Sequence, residues 1–96
     1  MEKVNIIGCG RAAGSLAKLW LQSGRYGPGG IANRSPESSI AAVARIGAGI
    51  PVQTAAEMPD ARYWMIGTSD HQIVTAAESL ADSGVPLDGC LVFHLA

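Results

Sequence analysis

The stretch VNIIGCGRAAG, residues 4–14, decides the fold of this chain. A short apolar run rich in β-branched residues leads directly into glycines and then into small residues. Such a run is typical of a buried parallel strand, and the apolar spacing that follows is typical of a helix. The stretch therefore predicts a strand, a glycine turn and a helix in succession, with a close approach to the backbone at the turn.

The glycine turn fills the pattern G-x-G-x-x-A with Gly8, Gly10 and Ala13. In this pattern the first glycine permits the tight turn, the second lets a pyrophosphate approach the backbone, and the alanine keeps the helix close to the strand. The helix N-terminus offers free N–H groups to the phosphates. The motif predicts a dinucleotide site that also includes Cys9 and Ala12; the alternative is a compact turn with no ligand.

The next segments repeat the alternation of strand and helix. The first helix is predicted to end at Gly24, and the turn-rich residues 24–30 are predicted to separate it from a second strand that begins at Ile31. Ser35 and Pro36 indicate the start of a second helix. That helix is predicted to bury a stripe made of Ile40, Val43, Ala44 and Gly47.

The second half of the chain continues the pattern. Strands are predicted over residues 50–54, 62–70 and 90–96, and Asp70 is predicted to cap a third helix that runs to Gly84. Strands that alternate with helices imply a parallel sheet with right-handed crossovers. The expected fold is α/β, a Rossmann-type doubly wound sheet in the order 3-2-1-4-5, with a ligand crevice where the order reverses.

Cofactor choice is predicted from Asn33, Arg34 and Ser35, which follow the second strand. A carboxylate at this point would accept hydrogen bonds from the ribose of NAD and would repel a 2′-phosphate. Arg34 can instead clamp that phosphate and stack on the adenine, while Ser35 adds a neutral donor. The sequence therefore favours NADP over NAD; the alternative for Arg34 is an ordinary solvated arginine.

Five further residues are candidates for the site. Thr68 and Ser69 are expected on the nicotinamide side, and Asp70 either belongs to the cofactor site or only caps its helix. Arg11 is a candidate for phosphate or adenine contact. His94 is a weak catalytic candidate as a proton donor to a carbonyl; the alternative is a plain strand residue. The two cysteines and two histidines have no metal-ligand spacing, so no metal site is predicted.

Composition excludes several classes of protein. The 96 residues, 48% of them hydrophobic, suit one domain over residues 1–96. The net charge is −1 and the basic residues are scattered, so nucleic acid is not an expected partner. No apolar run approaches the roughly 20 residues of a membrane span, and the N-terminus lacks a signal-peptide pattern, which together predict a cytoplasmic protein.

The whole chain resembles the N-terminal Rossmann-like domain of NADP-dependent oxidoreductases related to pyrroline-5-carboxylate reductase and the deazaflavin-dependent NADP reductases. The resemblance rests on VNIIGCGRAAG, NRS (33–35), MIGTSDHQI (65–73) and VFHLA (92–96). The chain is similar in particular to a branch of Rossmann-like proteins with a domain of unknown function. In that branch an aspartate and a histidine recur at the positions of Asp70 and His94. The resemblance implies a following helical domain that completes the substrate site and forms a dimer.

Two functions of different class follow. The first is an NADP(H)-binding domain of an oxidoreductase that acts on a small-molecule carbonyl, imine or deazaflavin acceptor, working as a homo-oligomer or with a C-terminal domain. The second is a non-catalytic nucleotide-binding or sensing module that acts through a partner subunit. A methyltransferase is a distant third, because its glycine turn typically works with an acidic residue where Asn33 stands.

Overall fold

The computed structural model describes residues 1–95, which form one parallel sheet flanked by helices. Its elements are β1 (Glu2–Ile7), α1 (Arg11–Ser23), β2 (Tyr26–Ala32), α2 (Pro36–Ile46), β3 (Ile50–Val52), β4 (Tyr63–Ile66), α3 (Ile73–Ala81) and β5 (Leu91–His94). The strands lie in the order β3-β2-β1-β4-β5. The predicted α/β fold and strand order are confirmed.

The helices lie on both sides of the sheet. α1 and α2 pack against each other and against β2, while α3 contacts β4. Right-handed crossovers to either side of β1 place α3 on the opposite face. The core is centred on Ile6, Ile31 and Met65, which are fully buried. Between β3 and β4 the connection contains a single 3₁₀ turn, Ala55–Glu57.

The prediction for residues 24–30 is wrong, because β2 begins at Tyr26 and includes Pro28 and three glycines. The glycines are tolerated here because neighbouring side chains occupy the space of the missing Cβ atoms. The side chains of Met1, Asn5 and Met58 lie where a Cβ would project from Gly27, Gly29 and Gly30, respectively. Because these glycines have no side chains, the neighbouring segments approach β2 closely. The strand propensities of the residues do not indicate this arrangement.

A bulge in β2 is stabilised by a buried asparagine. The register shifts between Val4, which pairs with Pro28, and Ile6, which pairs with Ile31. The fully buried Asn5 lies between them, and its Oδ1 accepts the N–H of Gly30 at 2.9 Å. Its Nδ2 donates to the carbonyl of Pro59 at 2.8 Å. One side-chain amide therefore provides a hydrogen-bond partner for the N–H of Gly30 at the bulge and holds the β3–β4 connection against the sheet.

The two helices on the first face begin and end largely as predicted, but α2 buries a different side. α1 ends at Gly24, whose φ is +76°, and Ser35 caps α2 with a reciprocal capping box. Of the predicted stripe, Val43 is half-buried and packs against the core, whereas Ile40, Ala44 and Gly47 are exposed. The buried residues of α2 are instead Ser39, Ala42 and Ile46. The Ser39 hydroxyl accepts the N–H of Asn33 at 2.8 Å and donates to the carbonyl of Val52 at 3.3 Å. A polar residue faces inward because it pairs two strand-end backbone groups, and this turns Ile40 outward, where it is 58% exposed.

The third helix starts later than predicted. Asp70 does not cap it, because residues Asp70–Gln72 form a 3₁₀ turn and α3 begins at Ile73. The helix ends at Ala81, before Gly84, and Leu80 is its buried residue. The strands β3, β4 and β5 are shorter than predicted, and Ala96, the last residue of the predicted fifth strand, lies outside the described residues.

The two cysteines are free. Cys9 is buried, while Cys90 is half-buried and its thiol donates to the carbonyl of Ala61 at 3.4 Å. Among residues 1–95, none of the helices has the length and apolar character that a membrane crossing requires.

Candidate functional site

A cleft of about 950 Å³ opens at the carboxyl ends of β1 and β4, where the strand order reverses. Ligands of open α/β sheets bind at this position. The part of the lining contributed by predicted site residues comprises Gly8, Cys9, Gly10, Asn33, Arg34, Thr68 and Ser69. The structure therefore brings the glycine turn, the residues after β2 and the residues after β4 into one cavity.

The turn after β1 depends on two glycines. Gly8 has φ +79°, and a Cβ there would lie 2.5 Å from Cγ2 and 2.9 Å from the backbone nitrogen of Thr68. Gly67 lies on the opposite side of the same contact, where its Cβ would meet the carbonyl oxygen of Gly8 and the Cβ of Ala13. Gly67 was not among the predicted site residues; its position directly after the fourth strand was the available signal. Both glycines are required for the close approach of β1, α1 and β4.

Gly10 is a different case. Its φ of −85° and ψ of −157° are open to any residue, and a Cβ there would meet no protein atom within 4 Å. Packing among the described residues therefore does not require a glycine at this position. Gly10 lines the cleft, so the space beside it is open to a ligand.

The N-terminus of α1 has unpaired backbone donors beside Gly10. No side chain caps this helix, and its first turn contains no acidic residue. The N–H groups of Arg11, Ala12 and Ala13 therefore have no partner within the helix, and the helix dipole adds partial positive charge. In contrast, the Ser35 side chain occupies the N-terminus of α2. Of these two helix N-termini, that of α1 suits an anionic group.

Asn33 ties the glycine turn to α2. Its Oδ1 accepts the N–H of Cys9 at 2.5 Å, and its Nδ2 donates to the carbonyls of Cys9 at 3.3 Å and Ser38 at 3.1 Å. Both hydrogens of the amide are thereby used within the protein. The side chain fixes the position of the turn, a role that the prediction of cofactor choice did not include.

Of the three residues predicted to select the cofactor, Arg34 has the free side chain. The Ser35 hydroxyl accepts the N–H of Ser38 at 3.2 Å and donates to the Ser38 hydroxyl at 3.0 Å. Arg34 is exposed at the edge of the cleft, and within residues 1–95 its guanidinium has no hydrogen bond or ion pair. The guanidinium is thus available to an incoming anion.

The residues after β4 reach the cleft in part. Thr68 and Ser69 line it, and the Oγ1 of Thr68 is buried without a hydrogen-bond partner among the described residues. Asp70 and His94 are exposed and do not line it, and Arg11 lies along a groove between α1 and α2.

The titratable side chains of the lining are Arg34 and Cys9. Burial raises the pKa of the Cys9 thiol, and the nearby Arg45 guanidinium opposes this shift without reversing it. The lining therefore offers hydrogen-bond donors and one cation, and it contains no carboxylate or imidazole for acid–base chemistry.

The fold recurs among solved structures. A Bacteroides fragilis protein described as an NADP oxidoreductase superposes with a TM-score of 0.78 at 20% identity, over 98% of this chain and 35% of its own. Synechocystis arogenate dehydrogenase gives a TM-score of 0.80 at 21% identity, over 98% and 32%. Biliverdin reductase from Synechocystis, solved with biliverdin and NADP⁺, gives 0.69 at 19% identity, over 96% and 37%.

The chain has a Rossmann-type fold. No protein-family model matches the sequence, and no curated protein matches it significantly. The chain spans about a third of the length of the three solved structures. At this level of identity the likeness shows the fold alone. In this fold the cleft lies at the end of the sheet where the sequence predicts the site.

Proposed function

We propose that residues 1–96 are the NADP(H)-binding domain of an oxidoreductase. The observation that carries this proposal is Gly10: its missing side chain leaves open space at the rim of the cleft, beside the uncapped N-terminus of α1, and no packing contact among residues 1–95 explains the glycine. A pyrophosphate is the group that such a position accommodates. Two of the three solved structures named above carry NADP in their descriptions, which supports the choice of cofactor.

The residues present fit an NADP molecule in three places. The free N–H groups of α1 would hold the pyrophosphate, and Arg34 would bind the 2′-phosphate. The unpaired Oγ1 of Thr68 and the hydroxyl of Ser69 would face the nicotinamide side. The cleft volume of about 950 Å³ lies at the upper end of the usual range for cofactor sites.

The role of this domain in the reaction is to bind and orient. The bound nicotinamide supplies hydride exchange with a small carbonyl, imine or deazaflavin acceptor. Asn33 fixes the turn under the pyrophosphate position, and Gly8 and Gly67 set the distance between β1 and β4. The lining provides no general acid, so a proton donor must come from another part of the protein; His94 stays a prediction.

The same lack of an acid–base group favours the second candidate, a nucleotide-binding module that works through a partner subunit. Oxidation of NADPH with a carbonyl, imine or deazaflavin acceptor would support the enzyme, whereas tight binding without turnover would support the module. For either case we propose a homo-oligomer or a following domain against β5, where Leu91 and Val92 are 55% and 39% exposed. A cytoplasmic location also stays a prediction.

Calorimetric titration with NADPH and NADH tests the proposal. Gly10→Ala should lower the affinity for both cofactors at least about tenfold, because a methyl group would occupy the pyrophosphate position. Its stability should change by less than about 1 kcal/mol, since the backbone is unstrained and the space is open. Wild-type protein that binds neither cofactor would overturn the proposal.

Gly14→Ala is the matched control for this experiment. It adds the same methyl group one turn along α1, where the nearest atoms, Arg45 Nη2 and Cys9 Sγ, lie at an ordinary 3.8 Å. This variant should bind NADPH within about twofold of wild type. Equal losses in the two variants would show that the cleft around Gly10 has no special part in binding.

A further inference from the structure

A second concavity lies between the outer sides of α1 and α2. It has a volume of about 660 Å³ and is lined by three cationic side chains: Arg11 and Lys18 from α1, and Arg45 from α2. We call it the α1–α2 groove. Gly10 and Asn33 line both this groove and the cofactor cleft, so the two share a rim. The role proposed above for the cleft assigns nothing to Lys18 or Arg45.

The helix geometry places these charges along one side of the first two turns of α1. Arg11 and Lys18 are seven residues apart and therefore lie on one side of the helix. The guanidinium of Arg45 reaches across from α2, with Nη2 3.8 Å from the position that a Cβ on Gly14 would take. Arg45 thus lies beside the uncapped helix end, whose dipole is itself positive.

The positive charges of the groove lack negative partners. No carboxylate lines the groove, and the one ion pair among the described residues joins Arg62 and Glu2, at 3.9 Å. Basic and acidic residues are also separated along the sequence. Six of the seven Lys and Arg residues lie within residues 1–45, and six of the eight Asp and Glu residues lie within residues 57–88. Charges of like sign that line one groove repel one another, and an anion from outside the chain would relieve the repulsion.

We propose that the α1–α2 groove binds a phosphate group. A phosphate monoester carries close to two negative charges and three acceptor oxygens, which suits two guanidinium groups, an ammonium group and the exposed hydroxyl of Ser15. The group can come from a free phosphorylated metabolite or from the 2′-phosphate of a nucleotide that extends over the shared rim. The inference from Lys18 and Arg45 does not depend on NADP binding in the cleft.

A nuclear magnetic resonance titration of the whole chain at constant ionic strength tests the proposal. Inorganic phosphate should produce saturable shifts of the backbone amides of Gly14, Ser15 and Lys18. The double variant Lys18→Gln/Arg45→Gln should weaken this binding about tenfold. Lys3→Gln/Arg25→Gln removes the same net charge from exposed positions outside the groove and should stay within about twofold. A loss of phosphate affinity that is equal in the two double variants, or amide shifts that do not saturate, would overturn the proposal.

Two further arms identify the source of the phosphate. Adenosine 2′,5′-bisphosphate that shifts the groove amides, and binds more weakly to the Lys18/Arg45 variant, would assign the groove to the nucleotide. Shifts from phosphate with no effect of the variant on NADPH affinity would assign it to a separate ligand. Normal NADPH binding by wild type together with no saturable groove shifts, from phosphate or from the bisphosphate, would overturn this inference and leave the proposed function intact.

Discussion

The side-chain amide of Asn33 holds the backbone of Cys9 from both sides, accepting its N–H at 2.5 Å and donating to its carbonyl at 3.3 Å. The residue that ends β2 thereby sets the conformation of the residue between the two glycines of the turn. The third bond, to the carbonyl of Ser38 at 3.1 Å, extends the connection to α2. The glycine turn after β1 and the loop that leads into α2 are consequently a single hydrogen-bonded unit.

Replacing Asn33 with alanine should cost stability and binding together. The variant loses three hydrogen bonds in a half-buried site, so we expect the free energy of unfolding to fall by about 2–3 kcal/mol. NADPH affinity should fall as well, because the turn is no longer fixed. Urea denaturation and calorimetry measure the two effects. The control is Gln22→Ala, which removes an exposed amide from α1 and should change stability by less than about 0.5 kcal/mol. An equally small effect of Asn33→Ala would show that the hydrogen bonds of Asn33 are not needed for stability.

Arg34→Ala should separate the two cofactors. Loss of a charged hydrogen bond worth about 1.5–3 kcal/mol predicts an NADPH affinity lower by roughly 10- to 100-fold, with little change for NADH. Calorimetry with both cofactors measures the ratio, and Arg25→Ala supplies an exposed arginine away from the cleft as the control. Losses of the same size for NADPH and NADH would remove Arg34 from the site of the 2′-phosphate.

Asn5→Leu should be strongly destabilising although it preserves size and burial. The variant leaves the N–H of Gly30 and the carbonyl of Pro59 without their partners, and we expect a loss of about 2–4 kcal/mol in the free energy of unfolding. Chemical denaturation measures it. Ser23→Ala instead removes two exposed hydrogen bonds, one to the carbonyl of Trp20 and one from the N–H of Arg25, and should cost less than about 1 kcal/mol because water replaces both. Comparable stability of the two variants would mean that water reaches the bulge.

The Cys9 thiol should make stability fall at alkaline pH. Its pKa is raised in the folded protein because it is buried, so the unfolded chain releases this proton first. The contribution of the protonated thiol to the free energy of unfolding is fully present below the unfolded pKa of about 8.5. It is lost as the pH rises above that value, by up to about 1.4 kcal/mol per pH unit. Urea denaturation at two alkaline pH values measures the slope, which Cys9→Ala should reduce. An unchanged slope in Cys9→Ala would assign the alkaline loss to other groups.

The sequence was sufficient where local chemistry and tertiary structure agree. The G-x-G-x-x-A turn, the Gly24 end of α1 and the Ser35 cap of α2 are all set by neighbours within a few residues, and each was predicted correctly. The strand order followed from the alternation of elements and the handedness of crossovers. The convergence of Gly8, Arg34 and Thr68 on one cleft followed from the same topology.

The errors arose where distant residues override local preference. β2 contains glycines and a proline, a composition typical of a turn, yet it pairs with β1 and β3. The side chains of Met1, Asn5 and Met58 fill the space beside its glycines. Ser39 faces inward on α2 because two strand-end backbone groups need its hydroxyl. The clamp of Asn33 on Cys9 spans 24 positions of sequence, so no short motif could indicate it.

The α1–α2 groove gives one side of the domain a local excess of positive charge. It is lined by Arg11, Lys18 and Arg45 and by no carboxylate among the described residues. A negatively charged nucleotide that approaches by diffusion would be turned toward the glycine turn before it touches the surface, which raises its association rate. The association rate should therefore fall steeply with added salt, while the dissociation rate changes far less.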